Sequence, residues 1–136
     1  MSWDGRGPSP EMVRKAQVAW LRTMRWDWWA TLAFAHAYQP TAMLRAVAAW
    51  LQPLGPQAYA AIGVQRGPQG NRLHVHTVVG GVGRHPLRET LLRETWRRGS
   101  IVLVGYSPLR GAIEYMVRQS DEIELLGHPV IYRPRR

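Results

Sequence analysis

The sequence predicts an α+β domain, a central antiparallel β-sheet with helices mainly on one face. Short apolar runs bounded by turn residues alternate with segments of helical spacing, in the order helix, then β-α-β-β-α-β-α. Two of the runs, residues 59–65 and 72–79, flank Gly67-Pro68-Gln69-Gly70-Asn71, which reads as a hairpin turn and so as antiparallel pairing. The chain has 136 residues and no Cys, enough length for one core and nothing to staple it.

Residues 1–9 are rich in Gly, Pro and Ser and are expected to be loose. Ser9 then caps a helix predicted over 10–25, with Pro10 at its first position and Glu11 in its first turn. Val13, Ala16, Gln17, Trp20 and Met24 fall at helical spacing. Residues 28–34 (WWATLAF) are short, apolar and aromatic, as a buried strand is. Pro40 and Thr41 open a second helix to residue 51, which Gly55 and Pro56 stop. The hairpin strands follow, closed by Gly80, Gly81 and Gly83. Pro86 opens a third helix, predicted to residue 98 and ended by Gly99. Residues 101–106 (IVLVGY) are a fourth strand, and a last helix is predicted over 109–119. The tail, 121–136, alternates polar and apolar residues. Val130-Ile131-Tyr132 reads there as an edge strand and 133–136 as a frayed cationic end. No repeat or linker divides the chain, so residues 1–136 are expected to form one domain.

Eighteen Lys and Arg oppose nine Asp and Glu, a net charge of +9 with a pI near 11.2. All but one of these cations, Lys15, are arginine, whose planar fork grips phosphate and stacks on flat rings. A polyanion, nucleic acid first, is the expected partner; a GC-rich coding bias is the alternative source of the arginines. Arg66, Arg72, Arg84, Arg97 and Arg98 lie near the hairpin and the third helix. They are assigned to phosphate contacts, with a merely solvated face as the alternative for each. No apolar stretch approaches the length of a membrane span and no secretion signal is read at the start, so a cytoplasmic protein is expected. Absence of Cys excludes thiolate metal sites, iron–sulfur clusters and cysteine nucleophiles.

Chemistry concentrates in two places. In Leu73-His74-Val75-His76-Thr77-Val78-Val79, strand alternation turns His74 and His76 the same way, about 6.6 Å apart along the axis. Such a pair can chelate one divalent metal, or can be two unrelated histidines on a wet sheet face. A histidine-triad nucleotide hydrolase needs a third His where Val78 stands, and a two-histidine phosphoesterase needs His-x-Ser/Thr twice. Neither pattern is met. On the last helix Tyr115, Arg118 and Gln119 share a face. Tyr beside Arg is a phosphate-attacking pair, nucleophile and charge partner, or simply a packing residue beside a surface cation. Trp20, Trp50 and Trp96 are assigned to the core. Trp26, Trp28 and Trp29 cluster about the first strand, where burial outweighs stacking on an unpaired base. His36, His85 and His128 stand alone, as surface or capping residues.

Together the two features resemble the HUH endonuclease superfamily, and within it the replication initiator (Rep) proteins of rolling-circle plasmids and phages. Trp29-Ala30-Thr31-Leu32-Ala33-Phe34 is similar to their first motif, Arg72-Leu73-His74-Val75-His76 to the second and Tyr115-Met116-Val117-Arg118 to the third. The resemblance covers residues 26–120. It implies a ferredoxin- or RRM-like sheet with the histidines on a middle strand and the tyrosine on a facing helix. It further implies that Tyr115 cleaves one DNA strand and stays linked to its 5′ end, with a divalent metal, Mn²⁺ or Mg²⁺, as Lewis acid. Where these proteins complete the metal site with an acidic or polar residue, this chain has Gln65; Gln119, four residues after Tyr115 as in the related small transposases, is the second candidate. Arg118 stands in place of the usual Lys, and a single tyrosine stands on this helix where some members carry two, which implies a single-tyrosine mechanism. The implied partners are single-stranded DNA at a replication origin, in linear or hairpin form, and a host helicase; a monomer is expected. The alternatives are a dimeric single-strand transposase of the same superfamily and a non-enzymatic RRM-like nucleic-acid binder.

Overall fold

A computed structural model describes residues 5, 7–36, 39–64 and 74–131. Along them run α1 (Pro10–Arg22), β1 (Trp28–Ala33), α2 (Pro40–Leu51), β2 (Tyr59–Val64), β3 (His74–Gly80), α3 (Pro86–Thr95), β4 (Ile101–Gly105), α4 (Ala112–Gln119) and β5 (Glu122–Leu126). The strands form one sheet in the order β4-β1-β3-β2-β5, and every neighbouring pair is antiparallel. The α+β class expected from the sequence is the class observed. Among the described residues no helix is long and apolar enough to cross a membrane.

Local chemistry sets the helix ends. The Ser9 hydroxyl accepts the Met12 amide at 3.2 Å, ahead of Pro10. The His85 imidazole accepts the Leu87 amide at 3.1 Å, so this solitary histidine is a cap. Two helices are shorter than expected. α1 stops at Arg22, where the Thr23 hydroxyl turns back to the Trp20 carbonyl at 2.6 Å. α3 stops at Thr95, because Trp96 leaves helical geometry to bury its ring and donate to the Ala33 carbonyl at 3.0 Å. The single helix expected over 109–119 is two pieces. A 3-10 turn, Pro108–Arg110, is separated from α4 by Gly111, whose φ of +69° is left-handed and reorients the chain.

The helices do not gather on one face; they divide two and two. Trp28, Leu32, Ile62, Val75 and Val79 meet Val47 and Trp50 of α2 and Leu92 of α3. Ala61 and Val78 on the opposite face meet Leu21 of α1 and Ile113, Met116 and Val117 of α4. The cause is written in β2, whose residues YAAIGV are buried at every position and so apolar on both sides. Trp50 and Trp96 are core residues as expected. Trp20 is 45% exposed instead, because α1 turns Leu21 and Val18 to the sheet and Trp20 lies off that stripe.

The edge strand expected at Val130-Ile131-Tyr132 lies elsewhere. β5 pairs with β2 from Ala60↔Leu126 to Val64↔Glu122. Ile131 makes only an isolated bridge to Met24, and Tyr132 is outside the described residues.

Candidate active site

β3 is the middle strand, so its side chains meet two neighbours and a helix. His76 lies opposite Thr31 on β1 and opposite Gly63 on β2; His74 lies opposite Ala33. Both histidines share the face covered by α1 and α4, and their ring centroids are 5.3 Å apart. The Thr31 hydroxyl and Nδ1 of His76 are 3.1 Å apart. That contact fixes the ring's rotation at one nitrogen. Trp29, two residues before Thr31 and on the same face, stacks on the His76 ring at 5.5 Å with the planes 13° apart. His76 is thereby 8% exposed, while His74 at the end of the strand is half-buried.

α4 brings the tyrosine. Ile113, Met116 and Val117 bury one stripe of the helix, which packs over β3 and β2. Tyr115 lies beside that stripe and is 41% exposed. Its ring meets His76 edge-on, centroids 5.2 Å apart, and Trp29 likewise at 6.3 Å. Arg118 is exposed one turn on, with its guanidinium carbon 5.8 Å from the centre of the Tyr115 ring. Histidine, tryptophan, tyrosine and arginine therefore form one cluster open to solvent on the Tyr115 side.

Gly63 makes the close approach of α4 possible. A Cβ at this position would lie 2.1 Å from Oγ of Ser120 and 2.9 Å from Cγ of Met116. The helix end therefore occupies the space a side chain would fill, directly beside His76. The Ser120 hydroxyl is buried there without a hydrogen-bond partner among the described residues.

The donor set suits a borderline divalent ion. Two imidazoles on one strand, ring centroids 5.3 Å apart and one of them held at Nδ1, are donors of the type that suits borderline divalent ions such as Mn²⁺. Among the described residues no group of three or more His, Cys, Asp or Glu forms. A third ligand would then come from an amide or water. Gln119 ends α4 one turn beyond Tyr115 and is half-buried. Gln65, the other candidate, lies outside the described residues, as do Arg66 and Arg72.

The remaining arginines separate. The Arg98 carbonyl accepts the Ala35 amide at 2.6 Å, and Arg97 precedes it, exposed. Both therefore sit at the end of β1 where Ala33 pairs with His74. Arg84 is at the other end. Its guanidinium lies 5.4 Å from the Trp28 ring centre and donates to the Tyr106 carbonyl at 3.0 Å, an anchoring role in the sheet's opposite corner. Thr31 and Trp29 are the contributors that spacing along the chain did not single out for this site. Their signal was the alternation of β1 once β1 is known to neighbour β3.

No protein-family model, curated protein or solved structure matches this chain.

Proposed function

We propose that this protein is a metal-dependent endonuclease and strand transferase of single-stranded DNA, acting through Tyr115. The observation that carries the reading is the Tyr115–His76 contact. The one exposed phenol of the cluster stands 5.2 Å, ring to ring, from a histidine whose partner His74 faces the same way. A packing tyrosine would be buried, and unrelated strand histidines would have no reason to converge with a tyrosine and an arginine.

His74 and His76, with Gln119 or Gln65, would hold the ion, which when bound withdraws charge from a phosphate oxygen. The chain's own residues do the rest. Trp29 and Thr31 hold His76 in a single orientation. The Tyr115 oxygen attacks phosphorus, the P–O3′ bond breaks, and the 3′ oxygen leaves and takes up a proton. The phenolic proton is lost to solvent, which reaches this face. One phosphodiester is exchanged for one phosphotyrosine ester, so a free 3′-OH can reverse the step and reseal a strand. Arg118 beside the ring offsets charge that grows on the phosphate. A basic chain with these parts suits the opening of rolling-circle replication at an origin, with a host helicase to unwind the duplex.

The test is direct. Incubated with a pool of single-stranded oligonucleotides and Mn²⁺, the protein should form a covalent adduct stable to denaturation. Tyr115→Phe should abolish it and a chelator should prevent it. Strand binding that is indifferent to chelator, with no adduct and no cut, would leave only a nucleic-acid-binding domain.

A further inference from the structure

We infer that Arg22 is a positioning residue for the nucleophile: by clamping the start of α4 to α1 it fixes where Tyr115 stands. The role rests on the reading above; the clamp itself does not.

α4 is a helix that needs holding. It has 8 residues, fewer than a helix needs to stand alone in water. It starts at Gly111, in the left-handed region, and among the described residues no side chain caps its first amides. Ile113, Met116 and Val117 fix one stripe of it in the core. Tyr115 is not on that stripe, is 41% exposed and meets His76 and Trp29 edge-on. The place of its phenol therefore follows the backbone of the helix.

Arg22, the last residue of α1, supplies the hold. Its Nη2 is 2.6 Å from Oε1 of Glu114 and donates to the Pro108 carbonyl at 3.3 Å. Pro108 stands before the Gly111 joint and Glu114 after it, so one guanidinium nitrogen ties both sides of the bend to α1. An anion in the first turn of α4 and a cation in the last turn of α1 are each favoured by their own helix dipole. Glu114 precedes Tyr115, so clamp and nucleophile are neighbours along the helix. The two side chains are 48% and 40% exposed, and a pair so wet adds little to global stability. Its effect is on orientation. Without it α4 can rock about Gly111 on its buried stripe, and the phenol shifts relative to His76. A displacement of about 1 Å at a reacting group can cost a hundredfold in rate.

The experiment pairs Arg22→Gln with Glu114→Gln, which break the same contact and change the net charge in opposite directions. Both should lower the single-turnover rate of adduct formation, at saturating single-stranded DNA and Mn²⁺, by about tenfold. Melting temperatures should change little. Arg22→Lys keeps the charge pair and should recover part of the rate. The two Gln changes combined should cost no more than Arg22→Gln alone. An arginine that merely draws DNA to the surface would slow the reaction only below saturation, and Glu114→Gln would then speed it; that result overturns the assignment. Hydrogen exchange without DNA tests the clamp separately. The α4 amides should exchange about threefold faster in both variants, the scale of one exposed pair, with β3 unchanged. Unaltered exchange overturns the clamp. Wild-type adduct rates in both variants overturn the positioning role and leave the nicking intact. No adduct in the wild-type protein removes the nicking and the positioning role with it, even where faster exchange upholds the clamp.

Discussion

The Thr31 hydroxyl stands 3.1 Å from Nδ1 of His76, across the β1–β3 pairing in which these two residues face each other. A ring held at one nitrogen presents the other in a single direction, and loss of such a partner typically costs tenfold or more in metal affinity. Thr31→Val keeps the branched shape on the strand and removes the bond. Mn²⁺ binding followed by calorimetry should weaken about tenfold, with the melting temperature little changed. Unaltered binding would mean that His76 does not ligate through Nε2.

The missing side chain at residue 63 sets how near α4 can come. Gly63→Ala puts a methyl 2.1 Å from the Ser120 hydroxyl oxygen, so the helix end must move outward. Overpacking of this kind costs about 1–3 kcal/mol, read as a lower urea midpoint. It should also slow adduct formation, since the same helix carries Tyr115. Ser120→Ala alone removes a buried hydroxyl that has no partner among the described residues and should be neutral or stabilising by up to about 1 kcal/mol. Because it also removes the atom nearest the new methyl, the double variant should recover part of the loss. Strict additivity in that cycle would show that the helix end accommodates the methyl elsewhere.

Much of this architecture is legible in the chain because strand period and helix caps are local. Two residues apart on a strand, His74 and His76 had to share a face. Ser9, Pro40 and Pro86 mark helix starts where the helices begin. What escapes is set by neighbours in space. Thr31 meets His76 from 45 positions away, and only the sheet order makes them partners. Arg84 reads as a phosphate contact by composition, yet the Trp28 ring and the Tyr106 carbonyl take up its guanidinium. β5 alternates Glu122, Ile123, Glu124 and Leu125 as an edge strand should. The more β-prone Val130-Ile131-Tyr132 outbids it on propensity, and the open edge of β2 decides otherwise.

Two tyrosines tie stability to alkaline pH. Burial raises the Tyr59 and Tyr106 phenols above their ordinary value, because a phenolate there would lose its water. The unfolded chain ionises them near pH 10, so above that pH the folded state binds more protons than the unfolded one. Their contribution is complete below about pH 10 and is lost as pH rises through the folded values. Urea midpoints taken from neutral pH to about pH 11 should therefore fall at the alkaline end. Tyr59→Phe should flatten that fall. At neutral pH it should cost about 1 kcal/mol, because the Tyr59 hydroxyl donates to the Arg25 carbonyl. An alkaline slope identical in the variant would assign the effect to other groups.

Arg118 is the sharper test of the chemistry, since it is exposed and its loss should leave the fold alone. Its guanidinium lies over the Tyr115 ring at 5.8 Å, close enough to meet a phosphate under attack by the phenol and too exposed to matter for packing. Arg118→Ala should lower the single-turnover rate of adduct formation about a hundredfold, the scale of one transition-state donor, with melting temperature unchanged. Arg118→Lys keeps the charge and loses the planar fork, so it should recover a substantial part of the rate but not all. If the arginine acts only by drawing DNA to the surface, the loss in Arg118→Ala should appear in binding and vanish at saturating DNA. If it offsets charge on the phosphate, the loss should persist at saturation. Equal rates for all three proteins at saturating DNA would remove Arg118 from the site.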